Sequence, residues 1–463
     1  MKPATSILAA AAVLLTGCAM GPKYNRPKPP VPSGWKADAD VASAAPEAAS
    51  LKWQEFFSDA KLREVIGLAL ANNRDLRMSA LNVERVQQLY RIQRSGQYPG
   101  VNVSRTADLY RMPRKMSPVG EAYTAEQYGL NVGAASWELD LFGRIRSLKA
   151  AALEQYLASE QARSAAQISL VAAVANTYLA LAADRENLKI AQATFDSQKA
   201  SYDLIKRSRD AGIASDLDLR QAESQVEVAR ADIARYTGLA EVDVNALELL
   251  AGAPVPASLL PSELGTASAL KELSPGLPSS VLLRRPDILA AEHQLKAAYA
   301  NIGAARAAFF PRISLTAATG LMSGDITQLY KAGSGTWNFA PQAALPIFDA
   351  GARRANLKVA EVDRDSAIAG YERAIQAAFR EVNDSLALRT QLMEEQRAQE
   401  ALVASLAETH RLSEARYKAG IDSYLSVLVA QRSLYAAEQG LVGLRLARLS
   451  NLVTLYKVLG GGA

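Results

Sequence analysis

Few residues of this chain could perform acid–base, metal or redox chemistry. Its 463 residues include two histidines, His293 and His410, and one cysteine, Cys18. A metal site needs three or four close donors, and neither histidine has sequence neighbours that would supply them. The sequence contains no phosphate-binding loop, no Gly-x-Ser-x-Gly elbow and no Cys-x-x-Cys pair. We therefore expect no catalytic site, no metal and no cofactor, with both histidines on helix surfaces.

Cys18 is suited to one covalent modification, the attachment of lipid. It follows a lysine and a short apolar run, Ile7 to Leu15, and closes the tetrapeptide Leu-Thr-Gly-Cys. This pattern predicts a signal peptide over 1–17 and resembles the bacterial lipobox, in which the cysteine thiol is acylated. An ordinary secretory peptide with a chance cysteine is the alternative, but a lone thiol cannot form an internal disulfide, and acylation gives it a use. Ala19 stands where an inner-membrane retention signal would place aspartate, which favours the outer membrane.

The composition excludes several classes of protein. Lysine and arginine total 52 against 47 acidic residues, and no concentrated basic block occurs, so nucleic-acid binding is not indicated. With 49% hydrophobic and 21% charged residues, the chain is neither disordered nor a helical polytopic membrane protein. Five prolines between residues 22 and 32 disfavour helix there. Segment 18–60 is therefore predicted to be an extended, lipid-bearing tether.

The strongest internal feature is a duplication. Gly212 and Gly420 stand in similar surroundings 208 residues apart, and Gly143 and Gly351 are separated by the same 208 residues. A prolyl break before a strand-like segment occurs at Pro99 and again at Pro311. The predicted organisation is a first repeat over 61–252, a proline-rich linker over 253–283, and a second repeat with a C-terminal tail over 284–463.

Very long helices dominate each repeat. No glycine or proline occurs from Arg144 to Ala211, and no proline follows Pro346. A helix of about 60 residues would be about 90 Å long, so we expect antiparallel pairs that turn at Gly212 and Gly420. A plain coiled-coil scaffold is the alternative, but it leaves the strand-like segments unexplained. A shorter helix is predicted to open each repeat, over Leu62 to Ser95 and Pro286 to Phe309.

Four segments are predicted to be strands, because apolar and polar residues partly alternate and aromatic residues lie beside them. They form either a soluble sheet or part of a transmembrane barrel, and the residues alone favour neither. Four strands cannot close a barrel, so in a membrane the chain would have to oligomerise, as two copies with eight strands or three copies with twelve. The segments are Val101 to Met112, Tyr123 to Leu141, Pro311 to Met322 and Thr336 to Phe348.

The chain resembles the TolC-like outer membrane efflux family, in its lipoprotein (NodT or OprM type) branch of RND tripartite efflux systems. The resemblance covers nearly the whole mature chain. The stretches that carry it are Leu283-Arg284-Arg285-Pro286-Asp287-Ile288 with its continuation to Gly320, Gly21-Pro22-Lys23-Tyr24, Trp137 to Gly143, and Arg416-Tyr417 ahead of Gly420.

This resemblance implies a mainly α fold with a small β part. In a homotrimer, each chain would give four strands to a transmembrane β-barrel, and the duplicated helical hairpins would form an α-barrel in the periplasm. The turns at Gly212 and Gly420 would form a periplasmic mouth that meets an adaptor protein and an inner-membrane RND pump. The implied function is a passive exit duct for drugs or other small solutes, anchored in outer-membrane lipid through Cys18.

The resemblance also points to a gate at the mouth. Arg416, Tyr417 and Leu425 match gate positions of the family, and Asp422 lies in the same turn. A gate aspartate of the family is replaced by Val429, so an apolar constriction around Leu425 is expected. Two acidic residues of the first repeat are interpreted either as partners of this gate or as solvated helix caps; they are Asp216 and Asp218.

Two rival functions remain open to test. A periplasmic adaptor would carry a single helical hairpin between two lipoyl half-motifs, and the 208-residue repeat argues against it. An exit duct for protein or peptide secretion driven by an ABC exporter would share the same architecture. The lipobox and the stretch from Leu283 to Gly320 favour small-molecule efflux.

Overall fold

The computed structural model describes residues 20–32, 34–35, 51–267, 270–271, 273 and 283–461. The predicted signal peptide, Cys18, Pro275 and Pro278 lie outside these residues. The helices are α1 (Trp53–Phe56), α2 (Ala60–Asn72), α3 (Arg74–Ser95), α4 (Arg144–Asp210), α5 (Asp216–Ala251), α6 (Leu264–Ala267), α7 (Pro286–Ala307), α8 (Ala352–Lys418) and α9 (Tyr424–Val458), and the strands are β1 (Val101–Met112), β2 (Tyr123–Leu139), β3 (Arg312–Ser323) and β4 (Gly335–Ala344).

The described chain forms two compact units. The first contains the described residues up to Lys28 together with Val83–Ser159 and Ala290–Tyr371, and it holds all four strands. The second contains the described residues of Pro29–Asn82, Glu160–Leu289 and Glu372–Ala463. The turns at Gly212 and Gly420 belong to this second unit.

The duplication is confirmed element by element. Helices α4 and α8 each contain 67 residues, and they begin 208 residues apart at Arg144 and Ala352. Each is followed after a short turn by a helix of similar length, 36 residues in α5 and 35 in α9. Good helix formers and the absence of proline allow these lengths. The prediction of a mainly α fold with duplicated long hairpins and a small four-stranded sheet is therefore confirmed.

Helix α4 differs from the other described helices in containing one long apolar stretch. It alone among them contains an 18-residue stretch whose mean hydropathy of 1.5 would suit a membrane span. Half of that stretch is buried inside the chain, and fully buried α4 residues such as Tyr178, Leu179 and Leu181 pack within the second unit. The apolar character therefore serves helix packing.

The opening helix of the first repeat is broken, contrary to the prediction of one helix from Leu62 to Ser95. Asn73 adopts an extended backbone at ψ 129°, ends α2 and caps α3 by accepting a 2.8 Å hydrogen bond from the backbone N–H of Leu76. Its side-chain amide also donates to the carbonyl of Leu250 at 2.9 Å. Asparagine is a favoured cap residue, so this break had a signal in the sequence.

The N-terminal part of the second unit is anchored by aromatic packing. Phe56 and Phe57 are fully buried, and the ring of Phe56 stacks on Tyr456 with centroids 4.2 Å apart. The Tyr456 hydroxyl donates a 2.8 Å hydrogen bond to the carbonyl of Leu51. Burial of these rings accounts for the one-turn helix α1, which lies in the segment expected to be extended.

The sheet has the order β1-β2-β3-β4, and every neighbouring pair is antiparallel. A bulge between Ala134 and Trp137 shifts the β2–β3 register, and Ser136 takes a positive φ of 55° within it. The strands end close to the predicted bounds, but β2 and β4 end earlier, at Leu139 and Ala344. Both outer strands keep one edge without a strand partner among the described residues.

Candidate functional site

The sheet separates apolar from polar side chains. Cross-strand partners lie on the same face of an antiparallel sheet, so the register assigns every residue to one side. One face carries a set that is mostly apolar, with Arg105, Arg111 and Glu126 as charged exceptions. Its apolar members include Val101, Val103, Leu109, Leu130, Val132, Ala134, Leu315, Ala317, Leu321, Trp337 and Phe339.

The opposite face is polar and rich in small residues. Its charged members are Asp108, Glu138 and Arg312. Gly133 and Gly320 belong to this face, and a Cβ on Gly320 would collide with the carbonyl oxygen of Leu130. The polar members include Asn102, Ser104, Thr106, Gln127, Asn131, Ser314, Thr316, Thr336, Asn338 and Gln342.

Both faces are open to the surroundings of the single chain. Val103, Trp337 and Phe339 on the apolar face are 70%, 77% and 60% exposed. Large apolar side chains are seldom left exposed as a contiguous patch unless another surface covers them. An apolar face opposite a polar one, with two free edges, is the pattern of strands that meet lipid on one side and water on the other.

The two hairpin turns have the same backbone design. Gly212 and Gly420 take φ of 75° and 71°, which a residue with a side chain adopts at a cost. The N–H of Ile213 reaches back to the carbonyl of Ser208 at 2.8 Å, and that of Ile421 reaches Arg416 at 3.0 Å. Together with the glycine N–H bonds, these form a Schellman motif at the end of each 67-residue helix.

The turns differ in how the following helix begins. In the first repeat, the Ser215 hydroxyl accepts a 3.1 Å hydrogen bond from the N–H of Asp218, whose carboxylate accepts one from the N–H of Ser215. This reciprocal capping box starts α5. Asp218 is therefore a helix cap, as one of the two interpretations expected. Asp216 is exposed, and its carboxylate lies 3.8 Å from Arg209.

In the second repeat, the turn is closed by an ion pair. Arg416 donates hydrogen bonds to both carboxylate oxygens of Asp422, at 2.5 and 2.9 Å. The bonds from Arg416 lower the pKa of Asp422 below its ordinary value. The partner of Arg416 is thus Asp422 of its own hairpin, and the acidic residues of the first repeat contact other groups.

Tyr417 lies in a small core that joins the two hairpin turns. Its ring meets that of Tyr424 at 5.4 Å between centroids, and Tyr424 itself is 6% exposed. Sequence reasoning did not single out Tyr424, although its place in the first turn of α9, seven residues from Tyr417, is a packing signal. The remaining members of this core are Ile205, Leu219, Ala222, Val427 and Leu428, with Tyr202 and Ala214 beside them.

Leu425 and Val429 face outward from this core. They are 52% and 48% exposed and lie one helical turn apart on α9. Both line a groove of about 540 Å³ between α8 and α9, whose other walls are mainly hydroxyl-bearing or small side chains. Leu425 and Val429 together make this stretch of the groove apolar.

Polar contacts join the long helices beyond the turns. The Tyr435 hydroxyl donates to the carboxylate of Asp232 at 2.8 Å, which links α9 to α5. The Gln431 amide donates to the hydroxyl of Ser197 at 3.2 Å, which links α9 to α4. Burial raises the pKa of Tyr435 first of all, and the bond to Asp232 raises it further. These bonds were not predicted, because each depends on which helix faces lie together.

Helices α4 and α5 also bring two carboxyl groups together. Burial raises the pKa of Asp243 to about 6, and the neighbouring Asp184 adds to the shift. The pKa of Asp184 is raised too, mainly by burial. A pair of carboxyl groups that resists ionisation is a source of pH dependence in the helical part of the chain.

The two histidines lie on helices α7 and α8. His293 Nδ1 lies 2.6 Å from a carboxylate oxygen of Glu154, and this pair joins α7 to α4. His410 lies on α8 near Glu414, whose pKa is lowered chiefly by the hydrogen bond from Lys418. In the part of the chain that the structure describes, no group of three or more histidine, cysteine or acidic residues could hold a metal ion.

Comparison with known proteins agrees with these features. The profile described as outer membrane efflux protein matches residues 65–253 and 277–461, once in each repeat. The probable efflux pump outer membrane protein TtgC of Pseudomonas putida is 47% identical over 459 residues, covering 98% of this chain and 95% of that protein. The outer membrane protein OprJ of Pseudomonas aeruginosa is 43% identical over 463 residues, covering 100% of this chain and 96% of that one.

Solved structures share the fold as well. A membrane protein from Pseudomonas aeruginosa aligns with a TM-score of 0.90 at 43% identity, over 96% of this chain and all of that one. The open state of the MtrE outer membrane channel of Neisseria gonorrhoeae aligns with a TM-score of 0.87 at 39% identity, over 96% of this chain and 98% of that one. The sequence, the sheet and the hairpins thus agree with one another, and the chain belongs to the outer membrane efflux protein family.

Proposed function

We propose that three copies of this chain form the outer-membrane exit channel of a tripartite efflux pump, through which small solutes pass without further energy input. The observation that carries the proposal is the sheet, which is apolar on one face, polar on the other and open at both edges within the described chain. An open edge in lipid leaves backbone groups unbonded at several kcal/mol each, so the edges of β1 and β4 must meet other copies. Two copies would give eight strands and a filled interior, whereas three give twelve strands and a lumen.

The proposed placement assigns each part of the chain to a compartment. The strands lie in the outer membrane, with their apolar face toward lipid, and the hairpin turns at Gly212 and Gly420 form the periplasmic mouth. A periplasmic adaptor and an inner-membrane RND pump meet the channel there. Relatives at 47% identity are named for toluene and antibiotic efflux, which supports small organic solutes as cargo.

The mouth is proposed to be gated. Leu425 and Val429 supply an apolar constriction, since both are half-exposed on one face of α9. Arg416, Asp422 and Tyr417 hold the second hairpin turn in shape. In the first turn, Asp216 is an exposed acidic group, and it provides part of a cation-attracting rim together with Asp218 at the start of α5.

Two further properties complete the proposal. Cys18 carries covalent lipid, which anchors the N-terminal end in the outer membrane. The chain is not an enzyme and has no cofactor, because its sequence has neither a nucleophile motif nor a metal-ligand set, so the energy for transport comes from the partner pump.

Purified protein in a planar lipid bilayer tests the channel itself. We expect discrete conductance steps, together with a band of three times the monomer mass on a gel run without boiling. Protein that inserts but conducts nothing, or that migrates only as monomer or dimer, would overturn the proposal.

Crosslinking in the native host, followed by mass spectrometry, tests the partners. Recovery of an RND pump with its adaptor is the expected result. Recovery of an ABC exporter would instead replace small-molecule efflux by protein or peptide secretion through the same channel.

A further inference from the structure

A stretch of the N-terminal segment lies along α7 around one buried carboxylate. The side chain of Glu292 is 3% exposed, and it accepts hydrogen bonds from two residues more than 260 positions away in the sequence. The Tyr24 hydroxyl donates to Oε1 at 2.9 Å. Arg26 donates from Nη2 to both oxygens, at 2.8 and 2.7 Å, and from Nε to Oε1 at 3.1 Å.

The same surface of α7 is shaped for an extended peptide. A Cβ on Gly303 would lie 2.7 Å from the Ser147 hydroxyl and 3.0 Å from the backbone N and Cα of Gly21, so the absence of a side chain at Gly303 permits this close approach. One turn before it, the ring of Tyr299 meets that of Tyr24 edge to face at 5.6 Å. Lys296 lies over the Tyr24 ring at 5.3 Å and reaches Glu292 Oε1 at 3.3 Å.

The charges show why these contacts belong together. A carboxylate held away from water is costly unless cations and hydrogen-bond donors compensate it. Lys296 on α7 supplies one such cation. The bidentate guanidinium of Arg26 supplies the other, in the geometry that is strongest for this pair. Without the N-terminal segment, Glu292 would lose the bonds from both Tyr24 and Arg26 and keep the contact with Lys296.

We propose that this part of α7 is an intramolecular peptide-binding site whose ligand is the extended segment Gly21 to Arg26, held chiefly by Glu292. Tyrosine and arginine two residues apart are the elements it recognises. The site fixes the point from which the chain leads back to Cys18. The bearing of this site on the lipid anchor rests on the acylation of Cys18 proposed above.

Trypsin offers a direct assay for the docked segment. The bonds after Arg26 and Lys28 precede prolines and resist trypsin, which leaves the bond after Lys23 as the sensitive one between residues 20 and 35. Lys23 is exposed, but its neighbours Gly21 and Tyr24 are held against α7. The docked segment is therefore expected to be cut slowly, and a released segment quickly.

The test compares variants of the full-length protein in detergent. Glu292→Gln and Arg26→Ala should each raise the rate of cleavage after Lys23 by about ten-fold or more, because cleavage follows the population of the open form and hydrogen bonds to charged groups are the stronger kind. Arg26→Lys should raise it less, since lysine keeps the charge and loses the fork. Glu84→Gln, which changes an exposed carboxylate of the same unit, should leave the rate unchanged.

The outcomes distinguish docking at Glu292 from attachment of the segment by the lipid on Cys18. Cleavage within about two-fold of the unaltered protein for both Glu292→Gln and Arg26→Ala would overturn the binding site. Arg26 lies outside the helices and strands, so its variants test the site even where Glu292→Gln fails to fold. Cys18→Ala should leave the cleavage slow, and radioactive palmitate labelling of Glu292→Gln reports on acylation independently. Rapid cleavage of Cys18→Ala would show that lipid, and not Glu292, holds the segment.

Discussion

Arg416 and Asp422 form a two-bond ion pair across Gly420, so that the turn of the second hairpin is closed by its own residues. Across the first turn, Arg209 approaches Asp216 only to 3.8 Å, and α5 begins instead with a serine–aspartate capping box. We therefore expect the two hairpin turns to respond differently to salt, because an exposed ion pair is screened by salt whereas a local helix cap is screened much less.

Arg416→Ala should make the channel leakier. An exposed ion pair of this kind stabilises only weakly, so the ratio of open to closed channels should rise by no more than about five-fold. Single-channel recording in planar bilayers measures this ratio, and Arg416→Lys is the matched control that keeps the charge. Conductance that is the same for all three proteins would remove Arg416 from the gate.

Leu425→Ala tests the apolar part of the proposed gate. Loss of half-exposed apolar surface on α9 should widen the constriction and raise the closed-state leak. Leu402→Ala is the matched control, because Leu402 is also half-exposed but lies on α8 outside the groove walls. Equal leak in the two variants, measured as closed-state current, would argue against a constriction at Leu425.

Substitution on the two faces of β1 should have opposite outcomes. Val103→Arg places a charge on the apolar face, which costs about 2–4 kcal/mol in the middle of a bilayer, whereas Ser104→Arg places it on the polar face. We expect Val103→Arg to lower the amount of assembled protein in outer-membrane fractions and Ser104→Arg to preserve it. Equal recovery of both variants would contradict the assignment of faces.

The turn glycines should be sensitive to a single methyl group. In Gly212→Ala or Gly420→Ala the new methyl meets no neighbouring atom within 4 Å. Each substitution should therefore lower the folding stability by about 1–2 kcal/mol through strain of the backbone at positive φ. Gly238→Ala lies in the open middle of α5 and should instead stabilise by about 0.5–1 kcal/mol. Thermal unfolding distinguishes these variants, and a fall in melting temperature for Gly238→Ala as large as for Gly212→Ala would refute this account.

Asp243 should make stability depend on pH. Its pKa is raised to about 6, so the folded chain binds this proton more tightly than the unfolded chain. The stabilisation of the folded chain by protonated Asp243 is therefore present at low pH and is lost as pH rises through about 6. Asp243→Asn should raise the melting temperature at about pH 8, by an amount equivalent to roughly 1 kcal/mol after allowance for solvent screening, and change it little at about pH 4. Glu241→Gln, which changes an exposed neighbour on α5, should show no such difference.

Much of the fold could be predicted because it depends on local rules. The absence of proline from both long stretches, and of glycine from the first of them, predicted α4 and α8, and repeated glycines predicted the turns at Gly212 and Gly420. The break at Asn73 was missed, since a single cap residue within a helical pattern is a weak signal until its amide is seen to reach Leu250. Strand alternation predicted the sheet, but only the register assigned its faces.

The candidate site was predicted less completely, because its contacts join distant parts of the chain. Arg416 and Tyr417 were named from the family resemblance, but the partner of Arg416 and the packing of Tyr417 on Tyr424 depend on how the hairpin turns fold. Tyr435 and Asp232 are 203 residues apart in the sequence, and no local sequence pattern predicts a hydrogen bond between them.

The bonds around Glu292 also set an order of events in folding. Tyr24 and Glu292 are 268 residues apart, so the N-terminal segment emerges during synthesis long before its binding surface exists. The entropy cost of closing so long a loop grows only with the logarithm of its length, about 0.6 kcal/mol per doubling, but contacts between such distant residues form slowly. Docking of Tyr24 and Arg26 therefore marks a late step of maturation, and a chain that misfolds around α7 would leave Lys23 open to proteases that clear defective proteins.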